Sequence, residues 1–149
     1  MKKILGVCLI DTADATEDEE HNTDLLVLIV KPFRVSCRVR SYQHLITQGR
    51  KNEFTVRSSV FSGRETELSK ILNGWGDYFL YGFSNKHETE LECWTLADLS
   101  VFRRWHNGFY NKYGIPPGHI FSNTDRLSSF TVFNWSKLPD NFIVGRNWE

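Results

Sequence analysis

The chain is expected to fold as an α/β (α+β) domain, a single mixed β-sheet of about five to seven strands with two main helices packed on it. Three observations lead there. Short apolar or alternating runs recur along the chain, helical spacing is confined to two windows, and turn residues punctuate the rest. With 149 residues, 40% of them apolar and 14% aromatic, one core spanning residues 1–149 as a single domain is the simplest arrangement.

Taken in order, Lys3 to Ile10 reads as a first strand. Met1-Lys2-Lys3 ahead of Ile4 to Ile10 has the outline of a signal peptide. The apolar run is short, however, and the acidic stretch after it offers no small-residue cleavage site. A cytoplasmic protein is therefore expected. Residues 11–23 form a polar, acidic loop. Asp24 to Val30 is apolar after its first residue, as in a central strand covered on both faces. Pro32 interrupts it. Arg34 to Arg40 then alternates: Val35, Cys37 and Val39 point one way, and Arg34, Ser36, Arg38 and Arg40 the other.

Ser41 to Asn52 reads as a polar connection and Glu53 to Ser59 as a fourth strand. Ser62-Gly63-Arg64-Glu65 fits a capping box, and Leu68, Ile71, Leu72 and Trp75 follow at helical spacing. Asn73, Gly74 and Gly76 supply a stop. Tyr78 to Phe83 and Glu90 to Leu96 are strands about a polar turn. Asp98 is placed to cap a second helix, whose stripe runs through Leu99, Phe102, His106, Phe109 and Tyr113. Gly114 to Gly118 ends it. Ser129 to Trp135 is a strand, and Phe142 to Val144 a short extended segment.

Net charge is zero but unevenly spread. Seven acids lie between Asp11 and Asp24 with no base among them, whereas Lys31 to Leu72 holds nine bases against Glu53, Glu65 and Glu67. Arg34, Arg38 and Arg40, joined by Arg57 if its strand pairs with theirs, would form a cationic surface. Guanidinium groups bind phosphate bidentately and keep their charge, so DNA, RNA or another polyphosphate is a suitable ligand. The same arginines could instead line the solvated side of an edge strand, pair with the acidic loop, or meet an acidic protein.

Phe33, Tyr42, Phe54 and Phe61 mostly occupy positions where core rings sit, as do the five tryptophans. Cys8, Cys37 and Cys93 show no disulfide or zinc spacing and read as small buried residues in a reducing compartment. The five histidines lack metal-ligand spacing. No apolar run approaches the roughly 18 residues of a membrane span.

Asp24, at a strand start and close behind Glu17, Asp18, Glu19 and Glu20, is a candidate ligand for Mg2+ or Mn2+. A second carboxylate would have to come from Glu53, Glu65 or Glu67. Glu17 to Glu20 could alternatively contact a host protein by imitating a phosphate backbone.

The strand Asn22-Thr23-Asp24-Leu25-Leu26-Val27-Leu28, the strand Arg34 to Arg40 and the helix and strand from Ser62 to Phe83 together resemble a PD-(D/E)XK, restriction-endonuclease-like pattern. The stretch concerned is His21 to Trp105. The segment Phe54 to Phe83 also resembles small proteins of bacteria and their phages. The resemblance implies a nuclease-like core with Asp24 as first metal ligand. Ser36 or Arg38 stands where the second acid belongs, and arginine replaces lysine, which cannot be matched by a guanidinium as a proton acceptor. The expectation is thus a non-catalytic nuclease-like domain that binds nucleic acid or polyphosphate through Arg34, Arg38, Arg40 and Arg57. The alternatives are a phage or mobile-element protein that inhibits a host defence or nucleic-acid enzyme, and a metal-dependent nuclease.

Overall fold

The structure, a computed structural model, describes residues 8–12, 25–29, 33–48 and 52–148. The chain divides into two compact units, Met1–Pro32 and Phe33–Glu149. In the first, β1 (Cys8–Thr12) and β2 (Leu25–Ile29) pair antiparallel, Cys8 opposite Ile29. Among the described residues β1 is the strand partner of β2, so the run is one half of a two-stranded ladder and not a central strand.

The second unit is α+β, with a mixed sheet as expected, but its strands divide between two sheets. The first has the order β3 (Val35–Arg40), β5 (Tyr78–Ser84), β6 (Leu91–Asp98), β9 (Ile143–Arg146). Its β3–β5 pair is parallel and the other two are antiparallel. The second sheet is antiparallel, in the order β4 (Glu53–Val60), β8 (Ser128–Asn134), β7 (His119–Ser122). The chain leaves one sheet and enters the other through residues 41–52. These were expected to be a plain polar connection. They contain a short helix, α1 (Tyr42–Gln48), whose Leu45 packs against the core. The amide of His44 donates to the carbonyl of Ser41 and its Nδ1 lies 2.9 Å from the Ser41 hydroxyl.

Helix α2 (Glu67–Leu72) begins four residues later than the capping box implied. Its cap is Thr66, whose hydroxyl accepts from the Ser69 amide. Gly63, at φ 67°, closes a turn at Phe61 and Ser62 by donating its amide to the Val60 carbonyl, and residues 63–66 run on without helical structure. Helix α3 (Leu99–Tyr113) starts where expected. The Asp98 carboxylate accepts from the amides of Ser100 and Val101 at 2.7 and 3.3 Å. Desolvation raises its pKa, but those hydrogen bonds and the charge of Arg104 outweigh it, and the value is lowered. Gly114, left-handed at φ 71°, closes the last turn onto Tyr110.

Phe54 on β4 joins the layers. Its ring lies 4.3–6.3 Å from those of Phe79, Tyr81, Phe102, Phe133, Trp135 and Phe142. Those neighbours come from β5, α3, β8 and two 3-10 turns, Trp135–Lys137 and Asp140–Phe142. Each such ring contributes about 1.5–3 kcal/mol by burial, and aromatic pairing adds about 0.5–1.5 kcal/mol per pair. No helix among the described residues is long and apolar enough to cross a membrane.

Candidate functional site

The alternation expected in β3 is present, and it has a definite orientation. Its start is clamped to β5. The Arg34 amide donates to Asp77 Oδ2 at 2.8 Å, while the amides of Asp77 and Tyr78 donate back to the Arg34 carbonyl. The parallel register then sets Ser36 beside Phe79, Arg38 beside Tyr81 and Arg40 beside Phe83. These three partners are core residues, so the arginines lie on the core side of the sheet. Val35 and Val39, on the other side, are 48% and 52% exposed. Cys37 is exposed with them, against the expectation that it would be buried, while Cys93 is buried. An edge strand permits this reversal. Its core side borders a gap between sheets, and long arginine stems cross that gap.

What they reach is Thr55. Arg38 Nη1 donates to the Thr55 carbonyl at 3.2 Å, and Arg40 Nη2 to its hydroxyl at 3.3 Å. That hydroxyl also lies 3.3 Å from the Tyr81 hydroxyl. Thr55 is therefore a buried polar residue with its hydrogen bonds satisfied, as burial requires. The second amine of Arg38, Nη2, is 2.6 Å from Glu67 Oε2. The same oxygen accepts from the Arg57 amide at 3.2 Å. The strand of Arg57 pairs with β8, not β3, so Arg57 comes to Arg38 from the other sheet.

Between β3, β4 and α2 lies a cleft of about 610 Å³. Arg38, Arg57, Arg64 and Lys70 line it, offset by Glu65 and Glu67. Arg57, Arg64 and Lys70 are exposed and Arg38 is half-buried. Trp75 also lines the cleft, 59% exposed, with the Arg34 guanidinium 5.6 Å from its ring centroid. Of the four arginines expected in the site, Arg38 and Arg57 line the cleft. Arg40 is tied to Thr55, and Arg34 approaches through Trp75.

Arg64 and Lys70 were not foreseen as site residues. Their signals were faint: a base after a glycine turn, and a lysine one helical turn from Glu67. The aromatic expectation also needs correction. Phe54 is core, but Phe33 and Phe61 are 66% and 87% exposed.

A second cleft, of about 560 Å³, lies beside Trp135, Asp140, Arg146 and Trp148. Its one acid and one base balance, and Arg146 is stacked on Trp148 at 4.8 Å. Among the described residues no three His, Cys, Asp or Glu side chains gather where they could hold a metal ion. Glu67 is engaged by Arg38, and Glu65 accepts from Asn73 at 2.8 Å. Asp24 and Glu17, Asp18, Glu19 and Glu20 lie outside the described residues.

No protein-family model matches the chain, and no curated protein or solved structure is significantly similar to it.

Proposed function

We propose that this protein is a non-catalytic, nuclease-like domain of the cytoplasm that binds nucleic acid or another polyphosphate in the cleft between β3, β4 and α2. One observation carries the reading. Arg38, Arg57, Arg64 and Lys70, drawn from two strands, a loop and a helix, line a single cavity with an excess of two positive charges over Glu65 and Glu67. Arg38 comes from one sheet and Arg57 from the other, so the docking of the two sheets brings these cations together. Arginine forks and a lysine suit phosphate oxygens, and exposed cations release counterions from a polyanion on binding. The Arg38 guanidinium is held in place by Glu67 and Thr55, so it loses little freedom on meeting a ligand.

The test is binding of labelled DNA and RNA oligonucleotides and of inorganic polyphosphate at low salt, read by anisotropy or competition. Affinity should fall steeply with salt, with a slope of about −0.7 per phosphate neutralised on a single strand. Arg57→Ala, Arg64→Ala and Lys70→Ala remove exposed side chains, so each should weaken binding without unfolding the protein. Wild-type protein that binds none of the three ligands at low salt would refute the reading.

A further inference from the structure

We infer that the cleft selects single-stranded nucleic acid and takes an unpaired base onto Trp75. This rests on the anion-binding reading above and specifies its ligand. The observation is the company the cations keep. Trp75 lines the same cavity as Arg38, Arg57, Arg64 and Lys70, yet leaves 59% of its surface in solvent. An indole of that size is usually buried for its apolar area, and here the neighbouring helix end and glycines place it at the cleft instead. Arg34 lies over the ring at 5.6 Å, which holds the indole and adds a positive charge beside it. Phe61 sits in the chain between two cleft residues, Val60 and Ser62, and is 87% exposed.

A basic groove furnished with exposed rings is the arrangement that holds single strands. Phosphates meet the cations, and the flat faces of successive bases meet the rings. A duplex cannot use the rings, because its bases are stacked on one another and would have to be flipped out first. The size of the cavity suits a nucleotide or two: about 610 Å³ falls in the range of roughly 300–1,000 Å³ typical of small-molecule sites. Inorganic polyphosphate would satisfy the cations and leave Trp75 idle.

The experiment compares four probes on the full chain: a dT12 oligonucleotide, a 12-mer with the same backbone but abasic sites throughout, a 12-bp duplex, and inorganic polyphosphate. The expected result is that dT12 binds at least tenfold more tightly than the abasic strand or the duplex and quenches tryptophan fluorescence. Trp75→Ala should weaken dT12 binding by roughly 5- to 140-fold and erase the preference over the abasic strand. Trp75→Phe should restore most of it, since a benzene ring still stacks. Equal binding of dT12, abasic strand, duplex and polyphosphate, with no effect of Trp75→Ala on the ranking, would overturn the single-strand inference and leave the anion-binding reading intact. Binding of none of the four would overturn both.

Discussion

Arg38 and Glu67 meet at 2.6 Å across the gap between β3 and α2, and the carboxylate oxygen that holds the guanidinium also takes the amide of Arg57 from β4. One acid thus ties three elements around the cleft. It is also one of two negative charges facing a ligand expected to be anionic.

Those two roles separate in Glu67→Gln. The amide oxygen can still accept from Arg38 and from the Arg57 backbone, while the charge is gone. Stability should fall by about 1 kcal/mol, because a half-buried ion pair becomes a hydrogen bond from the charged guanidinium to a neutral amide. Polyanion affinity should rise several-fold. Urea melts and a titration with dT12 check the two halves. Weaker binding in this variant would mean that the carboxylate serves the ligand and does not merely orient Arg38.

The orientation of β3 has a direct chemical readout. Cys37 is exposed and Cys93 buried. A maleimide reagent applied to native protein should modify Cys37 within minutes and spare Cys93 until denaturant is added, with peptide mass mapping to distinguish the sites. The reverse order would put the arginine side of the strand outward.

His106 is only 6% exposed on α3, and neither ring nitrogen makes a hydrogen bond of good geometry, although the Asn107 side chain beside it opposes part of the effect of burial. Burial pushes its pKa below the ordinary imidazole value of 6.5. The unfolded chain therefore takes up a proton before the folded one does. Stability attributable to this residue is complete above pH 6.5 and is lost as pH falls from there through the folded value. His106→Leu should remove that loss. It should also gain up to about 1 kcal/mol at neutral pH by deleting an unsatisfied buried polar ring. Urea midpoints at pH 7.5 and pH 5 test this: an equal drop in wild type and variant would count against it.

Gly118 marks another point of tight tolerance. Its φ is +93°, and a Cβ there would lie 2.5 Å from Thr131 Cγ2 and 2.9 Å from Phe133 Cε1. Gly118→Ala should cost about 1–3 kcal/mol through backbone strain, with the clash in addition. A thermal midpoint within a degree of wild type would show that β7 and its approach can shift freely.

Much of this architecture was legible because local rules governed it. Asp98 caps α3, Gly114 ends it, and Leu99, Phe102 and His106 are buried along its stripe. Strands β3 to β6 and β8 fall within a residue or two of their expected spans. What escaped depended on distant partners. The period of β3 was readable, but its orientation was decided by Phe79, Tyr81 and Phe83, more than forty residues away in the chain. Ser62 had the better sequence for a cap, yet Thr66 took the role once Gly63 turned the chain. Strand β7 was missed because its four residues are all exposed and carry no alternation. In the candidate site, Arg38 and Arg57 were singled out from charge and strand pattern. Arg64, Lys70 and Trp75 joined them only through tertiary packing.

The cleft has no existence in either sheet alone. It lies beside the seam where Arg38, one of its lining residues, donates from one sheet to the Thr55 carbonyl of the other. A ligand seated there would bind the docked form and not the separated sheets, so occupancy and folding must be thermodynamically linked. At a hundred times its Kd such a ligand would add about 2.7 kcal/mol to the free energy of unfolding. The melting temperature is then itself a binding assay, able to rank ligands without a label on either partner.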